Sequence, residues 1–85
     1  MQITGAVVRE QGVTFAIVIV KQHVLQNSAE AESTISGLTP AFRVPVVLMA
    51  QDASGRPTYY GRNDLAQFMS RVPLQAVRWT TYTIN

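Results

Sequence analysis

The sequence predicts an α+β domain in the order β-β-α-β-β-α-β, with one mixed sheet of four or five strands and two helices packed on it. Three observations carry this expectation. Val13-Thr14-Phe15-Ala16-Ile17-Val18-Ile19-Val20 is apolar at both pleat positions apart from its threonine, the pattern of a central strand covered on both faces. Ala31, Ile35, Leu38 and Phe42 recur at spacings of four, three and four, which places them on one helical stripe. Finally, the proline-opened run Arg43-Val44-Pro45-Val46-Val47-Leu48-Met49 is followed by the turn Asp52-Ala53-Ser54-Gly55 and the short run Pro57-Thr58-Tyr59-Tyr60. A single sheet that buries both helical stripes is the simplest solution.

The first strand is read over Ile3 to Arg9, rich in β-branched residues, and Glu10-Gln11-Gly12 turns it back against Val13 to Val20 as a hairpin. Lys21 to Gln26 either extends that strand or forms a loop. Asn27 is a helix cap, with Glu30 three positions on completing a capping box. The helix is expected to break at Gly37 or shortly after, with Thr39-Pro40 starting one further turn. Arg43 to Ala50 is the third strand and Thr58 to Gly61 the fourth, joined by a loop in which Gly55 takes a positive φ. Asn63 or Asp64 caps the second helix, whose apolar positions are Leu65, Phe68, Met69 and Val72, and Pro73 ends it. Val77 to Ile84 is the last strand. Trp79, Thr81 and Thr83 share one pleat face, and Arg78, Thr80, Tyr82 and Ile84 the other, the mixed pattern of an edge strand that can pair with another chain. The expected core is Phe15, Ile17, Ile35, Leu38, Phe42, Val47, Leu65 and Phe68.

Eighty-five residues form one domain, 1–85, without linker or repeat. Hydrophobic residues make up 47% of the chain, enough for a real core, while only 14% are charged, against about 25% in soluble domains. Much of the surface is therefore neutral, which favours association. With no cysteine, disulfides, thiolate metal sites and thiol chemistry are excluded. One histidine and five carboxylates offer little for a transition metal, and no cofactor is implied. The net charge of +2 comes from six arginines and one lysine scattered along the chain, unlike the concentrated basic face of a nucleic-acid binder. No charged n-region opens the chain and no apolar stretch reaches the ~20 residues of a membrane span, so a cytoplasmic protein without membrane contact is expected.

The passage Phe42-Arg43-Val44-Pro45-Val46-Val47-Leu48, the hairpin through Gly55 to Tyr60 and a helix starting near Asp64 resemble the second half of a thioredoxin-like fold. That resemblance implies a proline, here Pro45, that is cis and faces a peptide or glutathione groove. The family's Cys-x-x-Cys motif has no counterpart here, and the Ile3 to Arg9 strand stands where the first strand-helix unit would be. Thiol exchange is therefore not implied; a small peptide or thiol compound bound beside Pro45 is.

The candidate binding residues are Pro45, Arg43, His23, Tyr60 and Arg62. Arg43 adjoins the proline strand. His23 follows the central strand and titrates near neutrality, but no nucleophile or carboxylate stands beside it in sequence, so it reads as a strand-end residue. Tyr59-Tyr60-Gly61-Arg62 offers two rings and a guanidinium, with the tyrosines on opposite faces, one in the core and one outside. Glu30 and Glu32 do not share a helix face and read as solvated. Ser54-Gly55-Arg56 lacks the later glycine and lysine of a phosphate loop. With no catalytic set to assemble, the sequence favours a non-catalytic binding or assembly module over an enzyme, acting as a homodimer or with a protein partner through a sheet edge. The alternatives are the thioredoxin-like ligand site beside Pro45 and, more weakly, nucleic-acid binding through the arginines.

Overall fold

The computed structural model describes residues 1–10 and 12–84. Its strands are β1 (Gln2–Glu10), β2 (Val13–Ile19), β3 (Val46–Gln51), β4 (Pro57–Tyr60) and β5 (Thr80–Thr83). The helices are α1 (Gln22–Leu25), α2 (Ser28–Phe42) and α3 (Asn63–Met69), with a 3-10 turn at Leu74–Ala76. The fold is α+β, as the sequence predicts: one mixed five-stranded sheet in the order β4-β3-β2-β1-β5 with two main helices. β2 is the central strand. It pairs antiparallel with β1, in register from Gly5↔Val18 to Glu10↔Val13, and parallel with β3. Gln11, which the sequence reading assigns to the turn after the first strand, lies outside the described residues.

The alternation of β2 and β3 builds two cores. Phe15, Ile17, Val47 and Met49 point to the face covered by Leu65 and Met69 of α3, where Phe68 sets its ring edge-on to Phe15 with centroids 6.4 Å apart. Ala16, Val18, Val46 and Leu48 point to the opposite face, covered by Ala31 and Leu38 of α2. The helices therefore lie on opposite faces of the sheet. This is why Phe15 to Ile19 and Val46 to Ala50 carry no polar position to mark an outside. Of the expected core, Phe15, Ile17, Leu38, Val47 and Leu65 are buried, whereas Ile35, Phe42 and Phe68 are half-buried at the margins of their helices.

Local boundaries differ from the sequence reading in instructive ways. Lys21 to Gln26 is neither strand nor loop: Gln22–Leu25 forms one helical turn. Asn27 caps α2 by accepting from the Glu30 amide at 3.1 Å, but the amide of Asn27 donates to the Val24 carbonyl, so only half of the capping box forms. The helix does not break at Gly37; it continues through Pro40. Proline there removes the bond to the Ser36 carbonyl, yet Ser36 and Pro40 are both exposed, so water can serve that carbonyl. Burial of Leu38 and packing of Phe42 against the sheet outweigh the local break signal.

α2 ends in Arg43, whose φ of 59° is left-handed and whose amide donates to the Thr39 carbonyl at 2.7 Å. The reversal occupies residues the sequence assigns to the third strand, so β3 starts at Val46. Pro45, two residues past the cap, blocks further helix, and its carbonyl accepts from the Ala16 amide at 2.9 Å. At the β3–β4 turn, Gly55 takes its positive φ of 87°. The Asp52 carboxylate accepts from the Ser54 amide, the Ser54 hydroxyl and the Arg56 amide. These bonds, that of the Ser54 hydroxyl above all, hold Asp52 below the usual carboxylate range. The cap of α3 is Arg62, without a side-chain capping bond; Asn63 and Asp64 already lie in the first turn. The helix stops at Met69, before Pro73, and the 3-10 turn delays β5 to Thr80.

Candidate functional site

Two surfaces collect the chemistry of this chain. The first is a groove of about 330 Å3 between α2, the start of β3 and the junction of β4 with α3. Glu32, Ile35 and Thr39 line it from α2, Pro45 and Val46 from the β3 side, and Gly61 and Arg62 from the junction. The three α2 residues stand there because spacings of three and four keep them on one stripe. The Tyr60 hydroxyl donates to Glu32 Oε1 at 3.0 Å. That bond to a carboxylate favours the protonated phenol and pushes the Tyr60 pKa up. Arg62 donates from Nε and Nη2 to the two oxygens of Asp64, both at 2.8 Å, a bidentate fork that fixes the plane of the guanidinium. The same fork raises Arg62 and holds Asp64 below the usual carboxylate range. The groove therefore presents a carboxylate and a guanidinium, each oriented by its own partner, over the apolar Ile35, Pro45 and Val46. It has no activated nucleophile, since the Thr39 hydroxyl is engaged with the Ile35 carbonyl at 2.7 Å.

Among the five candidates, Pro45 and Arg62 line this groove and Tyr60 reaches it through Glu32. Arg43 does not line it, being the left-handed cap of α2. His23 does not either: it sits on α1 with Nε2 3.7 Å from Glu30 Oε1, both side chains well exposed, an ion pair only when the imidazole is protonated. The Val44-Pro45 bond is trans. Tyr59 and Tyr60 do take opposite faces, but because both faces carry a helix the two are alike half-buried. The Tyr59 hydroxyl is enclosed without a hydrogen-bond partner, and burial pushes its pKa up. The residue that sequence reasoning missed is Glu32. Its spacing of three and seven from Ile35 and Thr39 is the signal that places it on the groove side of α2.

The second surface is the β5 edge of the sheet. Among the described residues β5 pairs with β1 alone, in register Gln2↔Thr83 to Gly5↔Thr80, and its other side is open. Thr80, Thr81 and Thr83 are exposed, Tyr82 is half-buried with its ring 5.2 Å from that of Phe42, and no residue of the strand is charged. Met1, bonded to Ile84 beside this edge, is 72% exposed. Among the described residues no three histidine or carboxylate side chains come together, and no helix is long and apolar enough to cross a membrane.

Fold and surfaces together define a small three-layer α+β domain with an open uncharged sheet edge and a groove between Glu32 and Arg62. No protein-family model, curated protein or solved structure matches this chain.

Proposed function

We propose that this protein is a cytoplasmic, non-catalytic assembly module that takes up a polypeptide strand at the β5 edge. The observation that carries this reading is the open side of β5, four residues without charge, proline or bulge. Charge, proline and bulges are devices that protect natural edges, and without them the unpaired backbone groups of β5 are a template for a short strand. The low charge of the chain supports it, because little like-charge repulsion opposes approach. A synthetic peptide spanning residues 79–84, titrated into the isotope-labelled protein, tests the reading. Shifts of the β5 amides are expected at millimolar peptide, and they should vanish in Thr81→Lys/Thr83→Lys. Shifts confined to β4, or none, overturn it.

One observation favours a second reading, in which the groove holds a small peptide: Pro45, Tyr60 and Arg62 converge with Glu32 on one concave surface. A peptide amine would pair with Glu32 and its carboxylate with Arg62, over the apolar floor. An unblocked aliphatic dipeptide should shift the amides of Val46 and Gly61, with affinity weakened at least about tenfold in Arg62→Ala. Absence of shifts at millimolar dipeptide removes this reading.

A further inference from the structure

The backbone of β5 specifies its partner more narrowly than an open edge alone. The Ile84 amide donates to the Met1 carbonyl at 2.7 Å, and the Met1 amine donates to the Ile84 carbonyl at 3.0 Å. Met1 and Ile84 thus exchange both bonds. In an antiparallel ladder bonded and non-bonded pairs alternate, so Ile3↔Tyr82 and Gly5↔Thr80 are bonded while Gln2↔Thr83 and Thr4↔Thr81 are not. The amides and carbonyls of Thr81 and Thr83 therefore point away from β1, to the open side. They stand symmetrically about Tyr82.

We propose that β5 pairs antiparallel with β5 of a second copy about a two-fold axis through Tyr82, joining two five-stranded sheets edge to edge into one. This rests on the strand-uptake reading above and names its partner. Thr81 of one copy faces Thr83 of the other, and each such pair exchanges two hydrogen bonds, so the outward groups of both threonines are satisfied. Tyr82 faces its own copy as a non-bonded pair, with Cα atoms about 4.5 Å apart, the arrangement that brings side chains closest. Each Tyr82 ring already rests edge-on against Phe42 at an angle of 75°, so two aromatic pairs meet over the axis. The strand brings no charge to the axis. The two Arg78 residues, four positions away on either side, stay about 26 Å apart along the strand.

The other edge is the poorer candidate. β4 opens with Pro57, which lacks a donor, and self-pairing about Tyr59 would set Arg56 opposite Arg62. The patch at β5 is four residues long, below the ~1,600 Å2 of a standard interface, which places the dimer among weak, concentration-dependent ones.

The chain has no cysteine, so a single introduced thiol reports the register. Tyr82→Cys should form a covalent dimer under mild oxidation at millimolar protein, because about 4.5 Å between Cα atoms lies within disulfide range. Thr81→Cys should not, since in this register Thr81 faces Thr83. Cross-linking of Thr81→Cys in place of Tyr82→Cys overturns the register, and cross-linking of neither overturns the self-pairing. Peptide uptake at β5 with no cross-link would leave the assembly reading standing and this inference fallen. Thr81→Lys/Thr83→Lys, at exposed positions that leave the fold intact, provides the second measurement. Wild-type mass by light scattering should rise above 9.4 kDa with concentration. The double variant should stay at the mass of one chain at low salt and regain association at high salt, where the facing lysines are screened. Wild-type association by the double variant at low salt overturns the proposal.

Discussion

Phe15→Ala is expected to cost about 4 kcal/mol of stability and Phe68→Ala about half as much. Phe15 is fully buried on the central strand, among Ile17, Val47, Met49, Leu65 and Met69. Truncation there loses the transfer free energy of the ring and leaves a cavity between α3 and the sheet, whose strands cannot collapse into it without breaking the ladder. Phe68 sits at the margin of α3, half-buried, so its ring retains contact with water and its loss opens a cleft that solvent fills. The two rings meet edge-on at 6.4 Å, the geometry that adds about 1 kcal/mol beyond area burial. The double variant should therefore cost about 1 kcal/mol less than the sum of the single changes. A domain of this length has a total stability of only about 4–13 kcal/mol, so Phe15→Ala takes a large share of it. Urea titration gives both values. Equal losses at the two positions would contradict the difference in burial.

The unequal burial of these phenylalanines shows what the sequence carries and what it does not. The central place of β2 was legible because every position from Phe15 to Val18 is apolar, and only a strand covered on both faces requires that. The edge position of β5 was legible from its mixed pattern for the complementary reason. Strand order was not legible, since nothing local distinguishes β1 from β4 as the neighbour of β5. The course of α2 was misread because Gly37 and Pro40 are local signals, whereas the helix is held by Leu38 and Phe42 packing on distant strands. α1 is a single turn, too short for periodicity to appear. In the groove, Tyr60 and Arg62 stood out by residue type and Pro45 by its strand. Glu32 reads as a solvated helix residue until the fold brings it to Tyr60, 28 positions away. Arg43 was drawn in by its place beside Pro45 and His23 by its imidazole after the central strand. One is a helix cap and the other stands on α1 with its imidazole 3.7 Å from Glu30 of α2.

Two glycine-to-alanine changes, chemically identical, should move stability in opposite directions. Gly5 is buried in β1, between Val18 of β2 and Thr80 of β5. A methyl group at Gly5 would overlap the Ile17 carbonyl oxygen and lie 3.5 Å from the Val18 Cα, all backbone. No rotamer change relieves such a contact, so β1 must move away from β2 and strain the ladder that holds the sheet together. Glycine inside a strand marks this kind of close approach. Gly5→Ala should therefore cost about 3 kcal/mol, the upper range of overpacking, because the obstruction is main chain. Gly37 lies in α2, exposed, with nothing within 4 Å of the added carbon. Gly37→Ala should stabilise by about 0.5–1 kcal/mol through the smaller conformational entropy lost on folding. Urea midpoints of the two variants decide the matter: at about 1 kcal/mol per molar, they should lie some 3–4 M apart on either side of the wild type. Because β1 is the strand on which β5 pairs, Gly5→Ala should also speed amide exchange along Thr80–Thr83 and weaken strand uptake at the open edge. A Gly5→Ala protein within about 0.5 kcal/mol of the wild type would show that β1 and β2 do not approach this closely at Gly5.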